Sequence, residues 1–181
     1  MMKQDKALLL LGILRSHQSH GYELHTLLSS PIAPIAIGKA NAYQILNQFE
    51  ESGWVTANEE REGNRPPRRV YTLTPVGEEI FQKLLRDRLT VHTPAIHADA
   101  VSLNFLDLLP AAEAVTLLSV RLDAVQQRLD EIREQTGEGT EGHYGVEYLL
   151  NYAQFERDWL RELIGRLNAQ VQEPGSRRCT H

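Results

Sequence analysis

Apolar positions in the first 30 residues recur with a helical period. Residues 6–16 are apolar on nearly every side, which is typical of a buried helix, and Asp5 is expected to cap it. A turn over residues 17–21 leads to a second helix at 22–29, which ends before Pro31 because proline does not fit a helix interior. The pattern therefore predicts two helices before the first proline.

The third predicted helix covers residues 39–52 and has two chemically different faces. One face is an apolar stripe with the spacing of a buried helix, formed by Ala42, Ile45, Leu46 and Phe49. The opposite face, which we call the amide face, is polar and consists of Lys39, Asn41, Gln44, Asn47, Gln48 and Glu51. Gly53 is expected to end the helix, since glycine readily adopts the left-handed conformation of a C-terminal cap.

Two strand patterns, at residues 54–57 and 69–73, flank a charged segment that contains one glycine and two prolines. Because proline cannot donate to a strand ladder, these pieces predict a β-hairpin with its loop at residues 59–68. Thr74 is then expected to cap a fourth helix that begins with Pro75. Three helices, a hairpin and a fourth helix are the layout of a winged helix-turn-helix domain, whose third helix enters the major groove of DNA.

The second half of the chain predicts an all-α domain with two long helices. After a short helix at residues 96–109, a helix beginning at Pro110 carries an unbroken heptad pattern formed by Val115, Leu118, Leu122, Val125, Leu129 and Ile132. The last helix, residues 144–171, carries a second apolar stripe formed by Leu149, Ala153, Leu160, Leu163 and Leu167. Apolar surfaces of this size are not expected to stay in water, so these helices are expected to form a dimer.

These patterns define a fold class and a set of boundaries. We expect a mainly α chain with a small β-hairpin: a winged helix-turn-helix DNA-binding domain at residues 1–91, an all-α dimerisation domain at 92–172 and a disordered tail at 173–181. The single cysteine, Cys179, excludes a disulfide within the chain, and no leader or membrane-spanning segment is apparent. A cytoplasmic protein is therefore expected.

The net charge of −5 argues against DNA binding, but the charge is unevenly distributed. Residues 1–90 have eleven Lys and Arg against ten Asp and Glu, whereas residues 91–181 have eight against fourteen. Four arginines lie close together in the predicted wing: Arg61, Arg65, Arg68 and Arg69. A local cationic patch of this kind attracts phosphates whatever the total charge is.

Several short motifs follow one another in the first half of the chain. Gly21-Tyr22-Glu23 stand before the helix-turn-helix, and the third helix and its end carry Tyr43, Leu46 and Phe49-Glu50-Glu51-Ser52-Gly53-Trp54-Val55. The wing motifs are residues 63–68, Gly-Asn-Arg-Pro-Pro-Arg, and 71–77, Tyr-Thr-Leu-Thr-Pro-Val-Gly. In this order and spacing the motifs resemble those of the PadR family of bacterial transcriptional regulators, and the agreement of several motifs at once makes the resemblance specific. It implies a transcriptional regulator, more often a repressor, with a helical dimerisation domain.

The chain departs from the family pattern on the recognition helix. Gln44 stands where the family usually has proline, and Asn47 and Gln48 stand where basic residues are common. Fewer cations imply a weaker non-specific attraction to phosphates, and the additional amides are suited to reading adenine edges.

We assign the DNA contacts to the recognition helix and the wing. The predicted contact residues are Lys39, Asn41, Tyr43, Gln44, Asn47, Arg65, Arg68 and Arg69. Three alternatives stay open at this point. The amide face is only solvated, the wing arginines pair with Glu59, Glu60 and Glu62, or the Tyr43 ring packs against the second helix.

An aromatic line runs along one face of the last helix and consists of Tyr144, Tyr148, Tyr152, Phe155 and Trp159. It belongs either to the dimer core or to a pocket for a small aromatic or apolar effector, which would be lined by Tyr148, Tyr152, Phe155 and Trp159. The dimer contact itself is assigned to the six heptad residues together with Leu160, Leu163 and Leu167.

Other classes of site find little support in the sequence. His17, His20 and His25 lack a known metal-ligand spacing, and no catalytic or phosphate-binding motif is present, so no metal, cofactor or enzymatic activity is expected. The expected partners are double-stranded DNA, a second copy of the chain and a small effector, with no membrane. The predicted function is sequence-specific repression from an inverted-repeat operator bound by a homodimer; the alternative is a winged-helix module that only contacts proteins.

Overall fold

The computed structural model describes residues 2–16, 19–30, 32–60, 68–94, 98–136 and 144–172, and it divides after Pro94 into two compact units. The first unit contains α1 (Met2–Ser16), β1 (Ser19–His20), α2 (Gly21–Leu28), α3 (Lys39–Glu51), β2 (Val55–Glu60), β3 (Arg68–Leu73) and α4 (Pro75–Leu89). The second contains α5 (Ala100–Leu103), a 3-10 turn (Leu106–Leu108), α6 (Ala111–Thr136) and α7 (Tyr144–Gln172). The predicted fold class, mainly α with a small β-hairpin, is confirmed.

The hairpin belongs to a three-stranded antiparallel sheet with the order β1-β3-β2. β2 pairs with β3 from Val55 opposite Leu73 to Glu60 opposite Arg68. β1 covers the other edge of β3, so the turn predicted at residues 17–21 is wrong where Ser19–His20 form a strand. Two residues are too few to show a period of two along the chain, and it is pairing with the edge of β3 that makes them a strand.

Two predicted helix boundaries are also wrong. α1 begins at Met2, so Asp5 lies inside the helix and accepts a hydrogen bond from Arg88 Nε at 2.7 Å instead of capping. The helix predicted at residues 96–109 is replaced by α5 and the 3-10 turn, and residues 95–97 lie outside the described part of the chain. Neither piece buries a side chain, and burial of one face supplies most of the stability of a helix.

The first unit has one hydrophobic core, to which all four helices and the sheet contribute. Its buried members are Leu10, Leu11, Leu14, Leu24, Leu28, Ile37, Ala42, Leu46, Phe49, Val55 and Tyr71. α4 contributes partly buried side chains, among them Ile80, Phe81 and Leu84. The apolar stripe predicted for the third helix is confirmed, since three of its members are buried and Ile45 is partly buried. One face of α3 is therefore held in the core and the amide face is turned outward.

A tight corner joins the end of α3 to the start of α4. Gly53 has a φ of +72°, which is the left-handed conformation expected of the cap. The Thr74 hydroxyl lies 2.7 Å from the Gly53 carbonyl oxygen and accepts a hydrogen bond from the Gly77 N–H at 3.0 Å, so it caps α4 as predicted. A Cβ atom at Gly77 would lie 2.0 Å from the Trp54 carbonyl oxygen, and only glycine avoids that overlap. The corner thus fixes the C-terminal end of α3 against α4.

In the second unit, α6 and α7 pack against each other. The best-covered side chains between them are Leu129, Ile132 and Leu160, each no more than 1% exposed. A half-buried ion pair also joins the helices, since Arg121 Nε donates a hydrogen bond to Glu156 Oε1 at 3.1 Å. Over the residues that the structure describes, no helix combines the length and the apolar character needed to cross a membrane.

Candidate nucleic-acid interface

The amide face of α3 is exposed along its whole length. All six of its members are in contact with solvent, whereas the buried residues of the helix lie on the opposite side. Gly38 is the N-cap, and its carbonyl accepts a hydrogen bond from the Ala42 N–H at 3.0 Å, so the helix begins at Lys39. The face presents an ammonium group and four side-chain amides, which are donors and acceptors of the kind that base edges require.

Tyr43 is placed differently from the amide face. It is partly buried, and its ring packs against the core of the first unit. Of the two roles open for this side chain, the structure therefore shows the packing role. A contact between its hydroxyl and a phosphate stays a prediction.

Arg69 joins the wing to the recognition helix. It lies on β3, and its guanidinium donates from Nη2 to Glu50 Oε2 at 2.7 Å and from Nη1 to Asn47 Oδ1 at 3.3 Å. Its Cζ atom also lies 5.6 Å from the centre of the Tyr71 ring, a distance typical of cation–π contacts. The ion pair is therefore made with Glu50 of α3, a residue that the sequence analysis did not consider as a partner.

One sequence signal was available for this contact. Side chains two residues apart point to the same face of a strand, so Arg69 shares its face of β3 with the buried Tyr71. That face of the sheet packs against the core, on the side where α3 lies. Arg69 is therefore not expected to be purely solvated. The partner on α3 was not predictable in the same way, because 19 residues separate Glu50 from Arg69.

Tyr71 forms a neutral support for the guanidinium. Burial raises the pKa of its hydroxyl above the ordinary value of 10.0, and the neighbouring positive charge of Arg69 acts in the opposite direction. The ring therefore stays uncharged at neutral pH. Within the described ranges the Tyr71 hydroxyl has no hydrogen-bond partner. The side chain therefore contacts Arg69 mainly through the face of its ring.

The remaining wing arginines are described only in part. Arg61 and Arg65 fall in residues 61–67, outside the described residues. The bounds predicted for the hairpin loop, 59–68, are wrong at both ends, because Glu59 and Glu60 belong to β2 and Arg68 belongs to β3, where they pair across the ladder. Arg68 begins β3 with its backbone opposite Glu60, but its side chain is not among those described. Their roles in DNA contact stay predictions.

In the second unit, one of the four predicted effector residues lines a cavity. Tyr152 borders a space of about 400 Å³ between α6 and α7 whose other lining residues include Arg121, Arg128, Leu149 and Glu156. The other three predicted effector residues are not in this lining: Tyr148 and Phe155 are 71% and 68% exposed on α7, and Trp159 is half-buried.

The predicted dimerisation residues divide into two groups. Leu118, Leu129, Ile132 and Leu160 are buried within the single chain, and Val115, Leu122, Val125, Leu163 and Leu167 are half-buried. Two exposed apolar residues of α6 escaped the sequence analysis, namely Leu117 at 54% and Val120 at 67% exposure. Their spacing of three residues, beside the heptad pattern, was the signal for a second apolar stripe.

Metal ligands are not gathered in the described part of the chain. No group of three or more histidine, cysteine or carboxylate side chains is arranged there to hold an ion. His17 and the side chains of His20 and His25 lie outside the described residues.

Comparisons with known proteins agree with this geometry. Residues 10–83 match the transcriptional regulator PadR-like family. No curated protein matches the sequence. Among solved structures, Bacillus subtilis PadR in complex with operator DNA is similar over 90% of this chain and 98% of its own, with 21% identity and a TM-score of 0.73. The same protein in complex with p-coumaric acid gives 20% identity and a TM-score of 0.68, covering 90% of this chain and 94% of its own.

A third structure, the Vibrio cholerae virulence activator AphA, is similar over 91% of this chain and 99% of its own, with 18% identity and a TM-score of 0.67. At these identities the likeness shows the fold. It extends over both units, and the family match lies within the first of them.

Proposed function

We propose that this protein is a transcriptional regulator of the PadR-like type, which binds a specific DNA operator and represses transcription from it, because residues 10–83 match the model of that family. The observation that carries the proposal is the amide face of α3. Its members are exposed opposite a helix stripe that is fixed in the core, which is the arrangement needed to enter a major groove without disturbing the fold. The solved complex of Bacillus subtilis PadR with operator DNA supports this reading by analogy.

The operator is an inverted repeat bound by a homodimer. Several large apolar side chains on α6 and α7 are exposed in the single chain, and a second copy would cover them. Two-fold symmetry is the commonest closed arrangement of identical chains. It would set two recognition helices about 34 Å apart, or a small multiple of that distance, over two half-sites.

A small aromatic effector releases the operator. The cavity beside Tyr152 offers an aromatic ring, the Arg128 side chain and Arg121, which is paired with Glu156 in the same lining, so an aromatic carboxylate would compete with Glu156 for Arg121. Bacillus subtilis PadR has been solved with p-coumaric acid, a molecule of this class, and it serves as the probe. Calorimetric titration of the wild-type protein with p-coumaric acid should show saturable binding, and Tyr152→Ala should weaken it. Equal binding by both proteins would show that Tyr152 does not contribute to effector binding.

The decisive experiment for DNA recognition is selection of bound duplexes from a random library, followed by affinity measurements at several salt concentrations. The wild-type protein should select one motif, and its affinity should fall steeply as salt rises. Gln44→Ala should relax the preference at one or two positions of the motif by on the order of tenfold, the discrimination expected of one base contact. Arg86→Ala, on the exposed surface of α4, is the matched control and should keep the motif.

Two results would contradict the proposal. Failure to select any sequence would favour the alternative of a winged-helix module that only contacts proteins. A selected motif combined with activation of a reporter placed behind it would retain DNA recognition and replace repression, and AphA is described as an activator.

A further inference from the structure

Arg69 is held by three contacts that come from different directions. Glu50 and Asn47, three residues apart on α3, accept hydrogen bonds from two nitrogens of the same guanidinium. The Tyr71 ring lies beneath it at 5.6 Å. A planar guanidinium with a fixed fork of donors is well suited to bridge one helical turn in this way. Its plane and position are therefore set before any DNA is present.

The orientation of the Asn47 amide follows from this arrangement. A guanidinium has donors and no acceptor, so the oxygen of the amide must face Arg69 and its NH2 group must point to the other side. The last torsion of an asparagine otherwise has a broad, roughly two-fold profile, and the free side chain presents either end. The hydrogen bond from Arg69 selects one of these two orientations of the Asn47 amide.

The charge of Arg69 is largely neutralised where it stands. Glu50 Oε2 is 2.7 Å from Nη2, and the pair as a whole carries no net charge. A phosphate approaching this arginine would meet the carboxylate as well, and a neutral pair releases few counterions from DNA. The geometry thus argues against a phosphate contact, which was the role expected from the sequence.

We propose that Arg69 is a positioning residue for base recognition, which orients Asn47 so that the amide offers its N–H groups to the major groove. The base atoms read by Asn47 are then acceptors, such as purine N7, guanine O6 or thymine O4. The inference rests on the proposed function, because it requires that α3 enters the groove. It assigns to Arg69 an effect on which sequence is bound and no phosphate contact of its own. Any change in general affinity in Arg69→Ala would come from the unpaired Glu50 carboxylate.

The test compares wild type, Asn47→Ala, Arg69→Ala, Arg69→Lys and the Asn47→Ala, Arg69→Ala double variant by selection from a random duplex library. Arg69→Ala should relax the motif at the same positions as Asn47→Ala, on the order of tenfold. The double variant should lose no more than Asn47→Ala alone, because both changes remove one interaction. The slope of log affinity against log salt should stay that of wild type in Arg69→Ala.

Arg69→Lys separates positioning from charge. Lysine keeps the positive charge but cannot bridge Glu50 and Asn47 as a planar fork does, so it should behave as Arg69→Ala in the selection. Because Arg69 and Glu50 are both partly exposed, we expect each variant to fold, and circular dichroism checks this.

Glu50→Ala and Glu51→Ala form a matched pair, since each removes one negative charge from the last turn of α3. Only the first removes a partner of Arg69 among the described contacts. Both should raise affinity for DNA of any sequence, and Glu50→Ala alone should also relax the Asn47 positions.

The outcomes distinguish the inference from the proposed function. A wild-type motif that Arg69→Ala preserves, with a salt slope flatter by about one, would make Arg69 a phosphate contact and overturn the inference while the function stands. Restoration of the motif by Arg69→Lys would overturn it as well. If wild type selects no motif, both fail together.

Discussion

The two units solve the burial of apolar side chains in different ways. In the first unit, helices and a sheet enclose a single core, and buried members come from α1, α2, α3, β2 and β3. In the second, α6 and α7 pack against each other along a single helix–helix interface. Large apolar side chains remain exposed on both helices, including Leu117, Val120, Tyr148 and Phe155. Several layers cover a core from more than one direction, whereas two helices cover only their mutual seam.

The two units differ in how completely the single chain covers their apolar side chains. The first unit requires no partner to hide its core, and the amide face of α3 is its exposed polar surface. The second resembles half of a helical bundle, and its exposed apolar side chains are not covered within the single chain. The same chain thus combines a unit whose core is complete as a monomer with a unit whose apolar surface is only partly covered.

The largest effect is expected at the corner of the first unit. In Gly77→Ala, the new Cβ would meet the Trp54 carbonyl at 2.0 Å, so the backbone of the corner must move, at a cost of about 4 kcal/mol. Thermal unfolding followed by circular dichroism should show it. Gly165→Ala on α7 meets nothing within 4 Å and is the control, with a gain of about 0.5 to 1 kcal/mol from helix propensity. A melting profile of Gly77→Ala equal to wild type would show that the corner is not tightly fixed.

A smaller loss should follow from a cavity in the α6–α7 seam. Leu160 is completely buried, and Leu160→Ala should destabilise the second unit by about 3 kcal/mol. Denaturant unfolding monitored by helical circular dichroism measures it. Leu167→Ala, at a half-buried position of the same helix, should cost less. Equal losses at both positions would mean that a second subunit buries Leu167 as deeply as Leu160.

The outer face of α6 should affect assembly more than folding. Leu117→Asp with Val120→Asp places two charges where the proposed dimer needs apolar contact, so the mass measured by light scattering should fall from twice 20.5 kDa to 20.5 kDa. Helical content should be retained, because both positions are exposed in the single chain. Thr116→Asp, exposed on the same helix, is the control. A dimer that survives the double substitution would place the subunit contact elsewhere.

The smallest effect concerns the pH dependence of the first unit. Hydrogen bonds from Gln82 and then from Arg15 lower the pKa of Glu78 below its ordinary value of 4.5. A lowered pKa means that the contribution to stability is present above pH 4.5 and is lost as pH falls through the lower value of the folded state. Glu78→Gln should therefore slightly reduce the loss of unfolding free energy as the pH falls below 4.5. If the free energy of unfolding falls equally with pH in Glu78→Gln and in wild type, Glu78 does not contribute to the pH dependence of stability.

The sequence predicted the elements whose signal is periodic and local. The stripe of Ala42, Leu46 and Phe49 located α3 and its exposed side, and Thr74 with Pro75 located the start of α4. Both signals lie within a few residues of the structure that they specify. The amide face could therefore be derived before any coordinates, although its contact with DNA stays a proposal.

What the sequence missed depends on residues that are far apart in the chain. β1 becomes a strand only beside Val70 and Tyr71, and Arg69 finds Glu50 only after the hairpin has folded against α3. Leu117 and Val120 were overlooked for another reason. They lie outside the heptad positions of α6, so the heptad pattern does not predict them.

The contacts of α1 have a consequence for the order of events on the ribosome. α1 is synthesised before α4. Asp5 therefore cannot pair with Arg88, nor Arg15 with Glu78, until the partners, which lie 83 and 63 residues downstream, have been made. At about 5 to 20 residues per second, translation of that interval takes on the order of ten seconds. During this time α1, in which residues 7–11 are all apolar, has no α4 to pack against. The packing between these two helices forms only after α4 has left the ribosome.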